Sequence, residues 1–85
     1  MPTIEQIKRE YFISLLKRHN GPGVNDVVIP NVVRTGLKNK YQYHLINDEF
    51  NTIGDELVEA GYFRWNDNSQ LALTSEGLKY LSVIK

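Results

Sequence analysis

The fold is decided by the stretch at residues 48–81, which reads DEFNTIGDELVEAGYFRWNDNSQLALTSEGLKYL. In its first third, apolar side chains recur every three or four positions, at Phe50, Ile53, Leu57 and Ala60. This spacing predicts an amphipathic helix over about residues 49–60. Asn47 or Asp48 is suited to cap its start, and Gly61 supplies the left-handed residue that ends many helices.

The second part of the stretch predicts a β-hairpin followed by another helix. Two short apolar runs, residues 62–65 and 70–73, flank Asn66-Asp67-Asn68, whose side chains tolerate left-handed backbone angles. Thr74 then precedes a periodic apolar segment and is suited to cap a last helix. Residues 48–81 are therefore predicted to form helix, hairpin and helix in that order.

The N-terminal segment predicts one further helix, starting near residue 4. Thr3-Ile4-Glu5-Gln6 has the pattern of a capping box. One stripe is expected in the core, formed by Ile4, Ile7, Tyr11 and Leu15. Three apolar residues fall outside the stripe: Phe12, Ile13 and Leu16. Either later segments of the chain wrap around this second face, or it forms a subunit interface.

The segment between these helices is the least regular part of the sequence. Val27-Val28-Ile29 is a β-branched run closed by Pro30, which predicts a three-residue edge strand. Pro30 and Gly36 both interrupt the helical periodicity that follows. Because the next apolar residues are spaced four apart, we place the second helix at residues 37–46; these residues are Leu37, Tyr41 and Leu45.

Two short motifs resemble the winged-helix superfamily. Residues 57–63 resemble the end of a recognition helix that passes into a wing, and the Leu-Thr-x-x-Gly of residues 73–77, followed by Tyr80-Leu81, resembles the exit from that wing. The resemblance implies an α+β, mainly α fold: a winged helix-turn-helix with a three-helix core, a β-hairpin wing and a C-terminal helix. It implies a single domain over residues 1–85, with residues 49–60 as the recognition helix.

Composition limits the classes of function. With 85 residues the chain is one small domain, and a domain of this size buries somewhat over ~60% of its unfolded surface. There is no cysteine, so disulfides and thiolate metal sites are excluded. No signal peptide or membrane-spanning segment is evident, and we expect a cytoplasmic protein with no membrane partner.

The resemblance implies a double-stranded DNA partner and a set of residues that would contact it. On the outward face of the recognition helix, Asn51 can pair with adenine and Thr52 can meet a thymine methyl group. Four basic residues are expected to contact phosphates: Arg34, Lys38, Lys40 and Arg64. Trp65 is expected to pack on the helices rather than stack on a base. The first hypothesis is a small DNA-binding protein with a role in transcription regulation.

The charge pattern supports a second hypothesis. The chain has ten basic and ten acidic residues, whereas small DNA-binding domains usually carry a positive excess. The predicted recognition helix, together with the Asp48 that precedes it, contains five acidic residues and no basic one, and Asp55 and Glu59 face outward. Residues 27–47 contain Arg34, Lys38 and Lys40 and no acidic residue. A solvated surface explains these basic residues as well as DNA binding does. The alternative is therefore a protein-interaction or assembly module that presents this helix to a basic protein partner.

The resemblance also implies a homodimer, because winged-helix families with appended helices often pair through their ends. Its interface would use Phe12, Ile13, Leu16, Tyr80 and Ile84. Sedimentation equilibrium at high micromolar concentration tests this expectation. The sequence shows no nucleophile elbow, phosphate loop or metal-binding pattern, so we expect no enzyme, catalytic residue, cofactor, metal or small-molecule substrate.

Overall fold

Four α-helices and one β-hairpin make up the described part of the chain, residues 1–17 and 21–84 of a computed structural model. In chain order they are α1 (Ile4–Leu15), α2 (Pro30–Tyr41), α3 (Asn47–Glu59), β1 (Phe63–Trp65), β2 (Leu71–Leu73) and α4 (Ser75–Ile84). The arrangement is a mainly helical α+β fold with a two-stranded antiparallel sheet. This order of elements is compatible with a winged helix.

Helix α1 begins with the predicted capping box. The Thr3 side chain accepts a hydrogen bond from the Gln6 backbone, and the Gln6 side chain accepts one from the Thr3 backbone. Three of the four stripe residues are buried: Ile7, Tyr11 and Leu15. The prediction was wrong for Ile4, which is 50% exposed. Ile4 is the first residue of the helix, and α3 forms a groove beside it without closing over it.

The second face of α1 is covered by the C-terminal half of the same chain. Phe12 is 1% exposed, and its ring centroid lies 5.0 Å from those of Phe63 and Tyr80. Ile13 and Leu16 are half-buried. Covering by later segments of the chain, the first of the two alternatives, therefore explains why the sequence has an apolar residue at Phe12.

The second helix begins seven residues before its predicted start. It spans Pro30–Tyr41 instead of residues 37–46. The prediction that Pro30 interrupts the helix was wrong, because at the first helical position its missing N–H breaks no hydrogen bond and its fixed φ suits the helix. Gln42 ends the helix in a left-handed conformation, with φ of 52°. Leu45 is buried in the segment after α2 and does not belong to its helical stripe.

Helix α3 lies where the sequence placed it, and its core side is formed by Phe50, Ile53 and Leu57. Ala60 is exposed because it lies just past the last turn, at the C-cap. The predicted capping by Asn47 or Asp48 was wrong. Ile46 occupies the N-cap without a side-chain hydrogen bond in the described chain, and the Asn47 side chain accepts a hydrogen bond from Arg34 instead.

The hairpin has the predicted position, and its strands pair in the register Phe63↔Leu73, Arg64↔Ala72 and Trp65↔Leu71. The predicted edge strand is reduced to one bridge, between Val27 and Ala72. That bridge lies between two backbone hydrogen bonds of 2.8 Å, from Asn25 N–H to the Leu73 carbonyl and from Val28 N–H to the Leu71 carbonyl. Thr74 caps α4 as expected, accepting from the Gly77 N–H at 3.1 Å.

A buried tyrosine connects α1 to α3. The Tyr11 ring stacks on Phe50 with centroids 4.9 Å apart, and its hydroxyl donates to the Phe50 carbonyl at 2.9 Å. Burial, and secondarily the negative charge of Glu49, raise the pKa of Tyr11 well above its ordinary value of 10.0. The folded protein thus favours the neutral phenol, whose stabilising effect is complete below the ordinary pKa and is lost as the pH rises through the raised one.

Tyr11→Phe is expected to change both stability and its pH dependence. Near neutral pH the variant should lose about 1 kcal/mol of unfolding free energy, because one buried hydrogen bond is removed. Above about pH 10 its stability should fall less steeply than that of the wild type. Urea unfolding at neutral and alkaline pH measures both effects.

In Tyr11→Phe the unfolding free energy should still fall to some extent above about pH 10. The hydrogen bond from the Tyr43 hydroxyl to Glu49, followed by burial and the charge of Glu49, also raises the pKa of Tyr43. Parallel stability curves for Tyr11→Phe and wild type above about pH 10 would contradict the assignment to Tyr11.

Candidate interaction surface on helix α3

The outward face of α3 is polar and acidic, as the sequence predicted. Its exposed residues are Asn51, Thr52, Asp55, Glu56 and Glu59. The opposite face is buried in the core. Whatever α3 contacts outside the chain therefore meets two neutral polar side chains and several carboxylates.

Asn51 and Thr52 are neighbours in sequence but face different depressions. Asn51 lines a cleft of about 310 Å³ between α3 and the hairpin, together with Asp55, Trp65, Asn66 and Ser69. Thr52 lines a groove of about 270 Å³ beside the start of α1, together with Ile4, Asp48, Glu49, Ile53 and Glu56. We call the second depression the α1–α3 groove. Across the described residues, neither the Asn51 nor the Thr52 side chain makes a hydrogen bond.

Asp55 is held by the hairpin. The Trp65 indole Nε1 donates to Asp55 Oδ1 at 2.7 Å, and the ring lies against Gly54 of α3. This confirms the expectation that Trp65 packs on the helix layer. Asp55 therefore positions the hairpin on α3, a role that its helical spacing alone did not reveal.

Arg34, one of the four residues predicted to contact phosphate, connects α2 to the start of α3. Its Nε donates to the Leu45 carbonyl at 3.0 Å. Its terminal nitrogens donate to the side-chain oxygens of Asn31 and Asn47. The guanidinium group is thus used to fix the chain between the two helices.

Lys40 and Arg64 also have internal partners. Lys40 Nζ lies 2.8 Å from Glu10 Oε2, and the Glu10 side chain is only 3% exposed. The Arg64 guanidinium donates to Asn25 Oδ1 at 2.9 Å. Lys38 is exposed, and its side chain forms no ion pair or hydrogen bond with residues 1–17 or 21–84. Phosphate binding by these residues stays a prediction, but three of the four are committed to contacts within the fold.

The carboxylates of α3 differ in how far they are compensated. Glu56 pairs with Lys8 at 3.0 Å, and Glu49 accepts a hydrogen bond from the Tyr43 hydroxyl. The Asp48 and Glu59 carboxylates are exposed and have no ion-pair or hydrogen-bond partner in the described parts of the chain. The acidic face therefore keeps negative charge that its own fold does not neutralise.

The residues predicted for a dimer interface are partly used within one chain. Phe12 lies in the core, and the Tyr80 ring stacks on Tyr62 with centroids 4.7 Å apart. Ile84 is half-buried against the core. Val83, which was not in the predicted set, is 80% exposed on α4. Self-association stays a prediction.

Comparison with protein-family models, with curated proteins and with solved structures finds no match to this chain. Within residues 1–17 and 21–84, no three histidine, aspartate or glutamate side chains are grouped so that they could hold a metal ion. No helix described there is long and apolar enough to span a membrane.

Proposed function

We propose that this chain is a winged-helix domain that serves protein interaction or assembly and presents α3 to a basic polypeptide. The winged-helix assignment is supported by the element order, by the hairpin that follows α3 directly, and by the Val27 bridge on its outer edge. In this assignment α3 is the recognition helix and β1–β2 is the wing.

The proposal rests on the carboxylates of α3 that have no cationic partner among the described residues. Asp48 and Glu59 are exposed without described partners, and three of the four predicted phosphate-binding cations are engaged internally. Two unit charges ~10 Å apart in water repel by about 0.4 kcal/mol before screening by salt. Summed over a few α3 carboxylates that face DNA phosphates, this repulsion would weaken DNA binding by on the order of 1 kcal/mol. A lysine- or arginine-rich polypeptide would instead be attracted.

Duplex DNA is the second candidate because Asn51 and Thr52 are exposed and unpaired on the outer face of α3, within the described structure. Both side chains are suited to contact base edges in the major groove. Lys38 is exposed and available for a phosphate. The DNA candidate predicts binding that weakens steeply with salt.

Glu59→Lys is the sharpest variant for testing the interaction proposal. Glu59 is exposed at the last position of α3, where a lysine also suits the helix dipole, so the fold should be unaffected. At low salt, an unstructured peptide of lysine and serine should bind the wild type about fivefold more tightly than the variant. Fluorescence anisotropy of the labelled peptide measures this ratio.

Asp67→Lys is the matched control, because Asp67 is exposed in the hairpin turn and the change in net charge is the same. Equal weakening by both variants would show attraction to net charge alone and would contradict a site on α3. Charge reversal at Asp55 is less informative, since it would also remove the hydrogen bond from Trp65.

A further inference from the structure

We propose that the α1–α3 groove is the docking site for a basic amphipathic helix of the partner protein. This inference rests on the proposed function and adds to it the location of the site and the chemistry of its occupant. It is supported by the apolar floor of the groove, by the charge of its rim and by its size.

The floor of the groove contains an isoleucine that the fold leaves uncovered. Ile4 is in helical register with the buried Ile7 and Tyr11, yet it is 50% exposed. Ile53 of α3 lies across from it in the groove lining. An apolar side chain inserted between α1 and α3 would bury the rest of Ile4, which is favourable. The floor therefore suits an apolar anchor residue.

The rim of the groove is acidic. Asp48, Glu49 and Glu56 line it, and Lys8 pairs with only one of these carboxylates. Three carboxylates thus face one ammonium group, which leaves the rim negative. This charge disfavours a nucleic acid or an acidic segment and favours lysine or arginine beside the apolar anchor.

The groove is small. At about 270 Å³ it lies at the lower end of the range of small-molecule pockets, about 300–1,000 Å³, so it suits single side chains of a docked segment. Recognition of an amphipathic helix requires an apolar groove that takes anchor residues at helical spacing, with charges at the edges. The α1–α3 groove offers an apolar floor at Ile4 and Ile53 for one anchor residue, and carboxylates at its edge.

The test uses a synthetic peptide of leucine and lysine, about four helical turns long, and the same peptide with glutamate in place of lysine. We expect the protein to bind the lysine form in isothermal titration calorimetry and not the glutamate form. Ile4→Ser should weaken binding about fivefold, and Asp48→Asn about threefold. Amide shifts in the NMR spectrum should change at Ile4 and over residues 47–56.

Two variants serve as matched controls. Val83→Ser removes an apolar side chain that is 80% exposed on α4, and Asp67→Asn removes one exposed carboxylate from the hairpin turn. Neither should change the affinity for the lysine form. Thermal unfolding followed by circular dichroism checks that all four variants remain folded.

The outcomes separate this inference from the proposed function. In one outcome, Glu59→Lys weakens binding of the leucine–lysine peptide while Ile4→Ser and Asp48→Asn leave it unchanged. That result would show that the peptide binds the outward acidic face of α3 and not the α1–α3 groove. If the lysine–serine peptide binds but the leucine–lysine peptide does not, the groove inference alone is overturned. If neither peptide binds, both proposals are overturned.

Discussion

Replacing Gly77 with alanine is expected to remove much of the stability of this protein. A Cβ atom at Gly77 would lie 2.1 Å from the backbone carbonyl oxygen of Tyr62 and 2.6 Å from Leu73 Cδ1. A backbone oxygen cannot move aside as the end of a flexible side chain can, so α4 would have to shift away from the hairpin. We expect a loss of about 3 kcal/mol, a large part of the 5–15 kcal/mol typical of a domain.

Ser75→Ala is the matched control because Ser75 lies in the same turn of α4 and is exposed. It should change the unfolding free energy by less than about 0.5 kcal/mol. Urea unfolding of both variants, followed by tryptophan fluorescence, measures the difference. Equal stabilities would show that the start of α4 does not lie against Tyr62 and Leu73, and would remove the reason for glycine in the Leu-Thr-x-x-Gly motif.

The second large effect is expected from Lys40→Ala. Lys40 Nζ lies 2.8 Å from Glu10 Oε2, and Glu10 is enclosed so closely that a Cβ at Gly36 would meet its other oxygen at 2.1 Å. Removing the ammonium group leaves a buried carboxylate without its cation. Because the Lys40 side chain is itself 46% exposed, the cost should be below that of a fully buried pair, at about 2 kcal/mol.

Lys38→Ala, two residues away on α2, provides the control. Lys38 is exposed without a described partner, so this variant should stay within about 0.5 kcal/mol of the wild type. Adding Glu10→Gln to Lys40→Ala should restore part of the stability, because the neutral amide no longer needs a cation. If Lys38→Ala and Lys40→Ala are equally stable, the ion pair has no structural role.

The elements encoded by short-range patterns were predictable from the sequence. Helix α3 and the hairpin depend on apolar spacing and turn residues within residues 48–81, and both were placed within a few residues of their observed bounds. The start of α2 was not predictable in this way. Pro30 is compatible with a strand end and with a first helical position, and only the packing of the segment decides between them.

The partners of the charged side chains were not predictable, because they come from distant parts of the chain. Lys40 pairs with a residue 30 positions away, and Arg34 donates to a carbonyl 11 positions away. A net charge of zero indicated that many charges could be paired, but not which ones remain free. The exposure of Ile4 was not predictable either, because its helical spacing matches that of its buried neighbours.

The most direct test of the interaction proposal is a fluorescence-anisotropy titration of the protein against a labelled random-sequence DNA duplex at low salt. Because α3 presents uncompensated carboxylates, we predict no association up to tens of micromolar protein. Micromolar or tighter binding that weakens steeply with salt would contradict the proposal and establish duplex DNA as the ligand. In that case Lys38→Ala should reduce the slope of log binding constant against log salt concentration by about one.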